Sequence, residues 1–326
     1  MRMPAVDEKP KTRIVFSGNS EAGRVRSINQ DSFFVGEVAS YYLAAVADGM
    51  GGHKTGEVAS QKAIEILRRE LLKSKAHLPT GLAKAVQAAN LEVHDYSIEN
   101  PEHEGMGTTL TAVLIDDQVG LIGHVGDSRA YLIREDSIQQ LTQDHSWVAE
   151  RVRQGVLTQN EAKKHRLRNV ITNALGSEQS VKLDILHFDV RSGDKVLICS
   201  DGISMLLDDD VLKQIVSNYD PESAVKQLTI VANDRGSPDN ITAVVIEVDQ
   251  VETRKKAYSL PQENLEEPNS VTITQTQSGI EKIEEAYPRQ DAVSKMKRQA
   301  WYPYRMWILG SLYLALLIII FTLLRN

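Results

Sequence analysis

Between residues 12 and about 249, short apolar runs alternate with amphipathic segments, and Gly, Asp or Asn bounds most of them. Nine runs rich in Val, Ile, Leu and Tyr predict strands, at 13–18, 31–36, 41–47, 108–115, 118–125, 129–135, 181–190, 194–200 and 240–248. Two longer segments, 55–75 and 79–98, have helical spacing. In the first, Val58, Ala59, Ala63, Ile66, Leu67 and Leu71 form one stripe, interrupted only by Glu70. Shorter helices are predicted at 145–154, 208–217 and 221–234. The strands at 108–115, 118–125 and 129–135 are joined by links too short for a parallel crossover. The sheets should therefore be largely antiparallel, with helices on their outer faces: an α+β class.

The pattern changes outside this block. Residues 1–12 read as a loose terminus without the apolar stretch of a signal peptide. Residues 250–305 are rich in Glu, Gln, Ser, Thr and Pro, keep no sustained period, and read as a disordered linker. Residues 306–324, "MWILGSLYLALLIIIFTLL", carry no charge. As a helix they would span about 28 Å, close to the hydrocarbon core of a bilayer. Trp301, Tyr302, Tyr304, Trp307 and Tyr313 suit an interfacial belt, and Arg289, Lys295, Lys297, Arg298 and Arg305 precede the run. The expectation is a single-pass tail anchor in the cytoplasmic membrane, with the bulk of the chain in the cytoplasm.

Composition narrows the chemistry. The net charge of -7 gives no sign of nucleic-acid binding. It would also repel phosphate unless Arg or metal ions neutralise the site locally. The single cysteine, Cys199, lies in the apolar run "KVLICSDG" and reads as a buried structural thiol. It excludes an intramolecular disulfide.

Five aspartates share one setting, at or near the end of an apolar run and beside a small or turn residue. They are Asp31 in "RSINQDSFF", Asp48 in "AAVADGMGG", Asp127 in "GHVGDSRAY", Asp201 in "VLICSDGIS" and Asp239 in "GSPDNITAV". Singly, each reads as a turn aspartate. Together at one sheet mouth they would repel, and a hard divalent cation such as Mg²⁺ or Mn²⁺ would relieve that repulsion. Arg26, five residues before Asp31, could grip two phosphate oxygens, although alone it reads as a surface Arg. The glycine-rich "VADGMGGHKTGE" lacks the spacing of a P-loop or a dinucleotide turn. His53, His124 and His145 lack a zinc spacing, no G-x-S-x-G elbow occurs, and His165 carries no stronger signal.

Eight pieces in order complete the picture: "SEAGRVRSINQD", "VADGMGGH", "GTTLTAVLI", "GHVGDSRAYLIR", "LTQDHSWV", "NVITNALG", "LICSDGIS" and "DNITAVV". In this series the chain resembles the metal-dependent PPM (type 2C) protein phosphatases in their bacterial form, over about residues 12–249. The resemblance implies a four-layer αββα sandwich and a site for two or three Mn²⁺ or Mg²⁺ ions. It implies Asp48 as bridging ligand, Gly49 as a carbonyl ligand, and Asp201 and Asp239 on the second ion. Asp127 with Asp201 matches a third ion, Asp31 a hydrogen bond or water contact at the metals, and Arg26 the phosphate-binding Arg. It implies hydrolysis of phosphoserine and phosphothreonine by a metal-bridging hydroxide, opposing a eukaryotic-type Ser/Thr kinase.

Three positions depart from the family pattern. Gln30 replaces a frequent Glu, and Met50 stands where animal members carry a His proposed as general acid. Arg166 replaces a frequent Pro in the segment 145–180, which corresponds to a mobile flap where His165 matches a flap His. Two rival readings are a pseudophosphatase that binds without turnover and an N-terminal-nucleophile hydrolase of similar layering. The intact Asp48, Asp201, Asp239 and Arg26 weigh against the first, and the second would require a processed N-terminus.

Overall fold

The computed structural model describes residues 12–52 and 55–252 in full, and the backbone of 269–273. The chain opens with β1 (Arg13–Glu21), β2 (Asp31–Val38) and β3 (Tyr41–Met50), then α1 (Thr55–Lys73) and α2 (Leu78–Glu99). A short β4 (Gly107–Thr108) precedes β5 (Leu110–Asp116), β6 (Val119–Val125), β7 (Arg129–Arg134) and β8 (Ser137–Gln140). Next come α3 (Trp147–Arg153), α4 (Gln159–Lys164), β9 (Val181–Asp189), β10 (Lys195–Cys199) and the single turn α5 (Asp201–Ser204). The elements α6 (Asp209–Asn218), α7 (Pro221–Asp234), β11 (Ile241–Gln250) and β12 (Asn269–Ile273) close the order.

Two antiparallel sheets result. One runs β1-β11-β10-β7-β8, the other β12-β9-β6-β5-β3-β2 with β4 attached to β3. Their inner faces meet through Ala44, Val46, Val113, Ile115 and Ile122 on one side and Leu132, Val196, Ile198, Val244 and Ile246 on the other. The second sheet packs its outer face on α1 and α2, through Leu43, Ala45, Ala112 and Leu114 against Ala63, Leu67, Leu82 and Val86. The first packs on α6 and α7, through Tyr131, Leu197, Ala243 and Val245 against Leu212, Val216, Val225 and Leu228. Both sheets are thus covered on two faces, and for that reason their strands read as near-continuous apolar runs. The layering is helix, sheet, sheet, helix.

Every strand and helix predicted within 12–249 is present, and all but α7 have changed ends. β3 runs on to Met50 because its polar tail, Asp48 to Met50, continues the ladder beyond the apolar run. The elements that the pattern missed are short or polar: β4, β8, α4 and α5. Asn269–Ile273, inside the segment read as a linker, pairs antiparallel with β9 along its free edge. The expected membrane span at 306–324 lies outside the described residues. Among the described residues no helix is long and apolar enough to cross a membrane.

Candidate metal and phosphate site

The two sheets present their polar strand ends at a common mouth. Asp31 opens β2 and stands directly opposite Asp48 on β3. Asp31 Oδ2 reaches across to the other sheet, where it accepts from Ser200 Oγ at 2.8 Å and Thr242 Oγ1 at 2.6 Å. Ser200 follows β10 and immediately precedes Asp201, while Thr242 lies three residues after Asp239. This pair of hydrogen bonds therefore closes Asp31, Asp48, Asp201 and Asp239 into one neighbourhood. Asp127 follows β6 through the turn at Gly126.

The backbone around Asp48 is pinned. Its N–H donates to Thr109 Oγ1 at 2.9 Å, and its carbonyl accepts from Thr109 N and Thr108 Oγ1, both at 2.9 Å. Gly49 N–H donates to the Gln30 carbonyl at 3.1 Å. A Cβ on Gly49 would lie 1.9 Å from the Gly56 carbonyl oxygen, so only glycine lets α1 start this close to the end of β3. The glycine-rich stretch is thus a close-approach device beside the carboxylates rather than a phosphate cradle.

The electrostatics are those of crowded, buried carboxyls. Burial, with hydrogen bonds from Thr242 and Ser200 acting against it, raises the Asp31 carboxyl to about 6. Burial and the neighbouring Asp144 charge raise Asp127 to about 7. Asp48 is driven well above the carboxylate range by burial and then by Asp31, Asp201, Asp127 and Asp239; Asp201 is driven up by burial and then by Asp127 and Asp239. Asp48 and Asp201 nonetheless keep a partly open face. Asp31 Oδ1, Asp127 Oδ1 and Asp201 Oδ1 are buried and have no hydrogen-bond partner among the described residues. Three orphaned acceptors among like charges are a costly arrangement unless a cation completes it.

That donor set is all oxygen, which suits Mg²⁺ or Mn²⁺. The side chains are not drawn into a finished cage: among the described residues no three acidic, His or Cys groups gather around one point. Asp239 is engaged elsewhere, by Arg26 Nη2 at 2.8 Å. Both partners of that ion pair are partly exposed, so it contributes only about 0–1 kcal/mol and can be exchanged for other partners. The residues fit a divalent cation by donor chemistry and by their unpaired oxygens.

Asp31, Asp48, Asp201, Asp239 and Arg26 are brought together by these contacts, and Asp127 joins them through charge. Gln30 has a buried Nε2 without a partner among the described residues. Met50 pairs with Gly107 across β4. His165 stays within its own segment: its ring stacks on Trp147 at 4.9 Å and its Nδ1 accepts from Leu167 N–H. Lys163 of α4 ties this segment to Asp208 at 2.6 Å, and Arg151 lies over Trp147.

Asn240 was not singled out from the sequence. Its Oδ1 accepts from Gln30 N–H at 2.9 Å, and its Nδ2 donates to the Ile28 and Ala22 carbonyls. It fastens the loop that carries Arg26 to the start of β11. Ser200 and Thr242 were missed too. All three sit within three residues of a selected aspartate, in "CSDG" and "DNIT".

The chain matches the family model for protein phosphatase 2C over residues 20–242. It is 34% identical over 245 residues to the serine/threonine phosphatase stp of Listeria monocytogenes, covering 73% of this chain and 97% of that one. It is 38% identical over 243 residues to the serine/threonine protein phosphatase PstP of Mycobacterium tuberculosis, covering 72% of this chain and 45% of that protein. Among solved structures, Stp1 from Staphylococcus aureus superposes with a TM-score of 0.70 at 30% identity, over 76% of this chain and all of that one. The PstP catalytic domain in complex with two manganese ions superposes with a TM-score of 0.66 at 35% identity, over 73% of this chain and 99% of that one.

Proposed function

The chain belongs to the bacterial protein phosphatase 2C family and is a protein Ser/Thr phosphatase that uses Mn²⁺ or Mg²⁺, and from that premise we propose how its residues share the reaction. The observation that carries the proposal is the set of three orphaned buried carboxylate oxygens, on Asp31, Asp127 and Asp201, with Arg26 as the adjoining cation. Asp48, the Gly49 carbonyl, Asp201 and Asp239 would hold two ions, and Asp127 with Asp201 a third. When bound, the ions supply an acidified water at neutral pH and positive charge for the phosphoryl oxygens.

The protein's own groups do the rest. Arg26 is half-exposed and, among the described residues, hydrogen-bonds only Asp239, so its guanidinium is free to turn to an incoming phosphoryl group and hold two of its oxygens. Asp31 is fixed by Ser200 and Thr242 through one oxygen and offers the other to the cluster. Cys199 is fully buried and its thiol is pushed up to about 12, which removes it as a nucleophile. Ser200 is buried and committed to Asp31 and to Thr242 N–H. In this proposal water is the attacking group, without a phosphoenzyme. Met50 has no proton to give, so the proton for the leaving alkoxide does not come from that position.

The substrates in this proposal are phosphoproteins made by a eukaryotic-type Ser/Thr kinase. The uncharged run at 306–324 would anchor the enzyme in the cytoplasmic membrane, with the catalytic domain in the cytoplasm. From the end of β12, the roughly 32 residues up to 305 would let that domain range over about 30 Å. Hydrolysis of p-nitrophenyl phosphate and a phosphothreonine peptide tests the chemistry. Mn²⁺-dependent turnover that disappears in Asp239→Ala is expected; absence of turnover with metal present would favour a binding module. Deletion of residues 301–326 should release the protein from membranes, and a truncated protein that still sediments with them would refute the anchor.

A further inference from the structure

Below the carboxylates lies a second ionisable cluster that the reaction does not use directly. His145 is buried, and its Nε2 meets Asp184 Oδ2 at 3.0 Å. Its Nδ1 receives two N–H donors, Gly126 N at 3.1 Å and Asn173 Nδ2 at 2.9 Å. A nitrogen that accepts from N–H groups is unprotonated, so the ring proton sits on Nε2 and is donated to the Asp184 carboxylate. The backbone adds a second tie, since His145 N–H donates to the Gly126 carbonyl at 2.7 Å.

These contacts reach the turn into Asp127 and both ends of the segment 146–172. Gly126 has φ +107°, and a Cβ there would lie 2.5 Å from Thr109 Cγ2, so the turn into Asp127 is a glycine-only conformation that needs holding. On the other side His145 immediately precedes the segment 146–172. Its carbonyl accepts from Thr172 N–H at 2.8 Å, and Trp147 N–H donates to the Val170 carbonyl at 2.8 Å. Asn173, at the far root, is tied to β9 through Lys182 N and O. One imidazole thus joins the Asp127 turn, both roots of the flap and β9.

We propose that His145, oriented by Asp184, is a positioning residue that locks the turn of Gly126 and Asp127 to the two roots of the 146–172 flap. The side chains are 5% and 2% exposed, so the pair acts through Gly126 and not by touching substrate. Carboxylate site and flap then hold one relative placement. The functional part of this inference rests on the phosphatase reading; the structural part does not.

Two substitutions separate the contacts of the ring. His145→Gln can keep a donor near the Nε2 position, toward Asp184, but lacks an acceptor for Gly126. His145→Asn places an amide oxygen near the Nδ1 position, keeping the acceptor and losing Asp184. Steady-state kinetics on p-nitrophenyl phosphate with Mn²⁺ and hydrogen exchange of the full chain are measured for both. The Gln variant should lose about 10–100-fold in kcat with KM changed by less than about threefold, as outer-shell positioning groups do. Its exchange should accelerate at Gly126, Asp127 and across 146–172, with 110–125 unchanged. The Asn variant should recover most of both properties. Wild-type kcat in the Gln variant would overturn the proposal. So would equal losses in both variants that merely follow the folded fraction, with turn and flap exchange unaltered. Should the Gln variant not fold, Asn173→Ala removes the other Nδ1 donor, and unchanged flap exchange there would overturn the proposal as well. An inactive wild-type enzyme would refute the phosphatase reading, and the exchange comparison would still decide the positional claim.

Discussion

Two buried ionisable clusters lie within one strand's length of each other, and they are built on opposite rules. In the lower one, each imidazole nitrogen has a partner: His145 bridges Gly126, Asn173 and Asp184, and His124 bridges Thr111 Oγ1 and the Gln143 carbonyl. In the upper one, like charges face one another and three buried carboxylate oxygens have no partner. The satisfied cluster stabilises the fold. The unsatisfied one costs stability in the protein alone and is repaid when a cation binds. Burial of charge does not by itself distinguish scaffold from site. Several unpaired carboxylate oxygens crowded together do.

The largest effect expected from this contrast is catalytic. Asp48→Ala and Asp239→Ala should each lower kcat/KM by on the order of 10³-fold, read by Mn²⁺-dependent phosphopeptide hydrolysis. The same Asp48→Ala change should raise the melting temperature of the metal-free protein, because it removes a carboxyl whose ionised form burial and four neighbouring aspartates disfavour. A drop would break the comparison.

Next comes pH, with opposite signs in the two clusters. The Asp31 and Asp127 carboxyls lie at about 6 and about 7 in the fold against an ordinary 3.8. The fold therefore binds more protons than the unfolded chain, and their contribution is lost as pH rises through 6 and 7. His124 behaves in reverse. Burial and the His145 ring lower it to about 4 from 6.5, so its contribution of about 3 kcal/mol is complete above 6.5 and lost as pH falls toward 4. Metal-free wild-type protein should gain several degrees in melting temperature between pH 7.5 and 6, and Mn²⁺ should abolish that gain. A His124→Asn variant should show a weaker decline below pH 6 than wild type.

The smallest effect expected is Arg26→Ala. It should raise KM for phosphopeptides about tenfold with less change in kcat, since Arg26 binds the phosphoryl group from a partly exposed position. A fall in kcat alone would move Arg26 from binding to the chemical step.

Much of this was legible in the sequence because both sheets are covered on two faces, so the strands appear as apolar runs and the aspartates mark where those runs stop. The same logic hid β8, whose "SIQQ" is half polar, and α5, a single turn that begins with Asp201. The helix α4 was readable after all: Thr158 and Glu161 form a capping box in "TQNE", but the segment behind it is too short for a period to show. Asn240 and Thr242 were hidden for another reason. Their roles depend on partners more than 200 positions away, at Gln30 and Asp31, and no local pattern reports such a pairing. The lower cluster was hidden likewise: His145 and Asp184 are far apart in sequence, and each alone reads as an ordinary residue.

The most direct test of the central claim is calorimetric titration of Mn²⁺ into the metal-free protein at pH 7, run in two buffers of different ionisation enthalpy. The account predicts at least two ions bound with release of protons, because carboxyls held near or above pH 6 must give up theirs, and loss of one ion in Asp239→Ala. Binding without proton release, or an unchanged stoichiometry in Asp239→Ala, would contradict it.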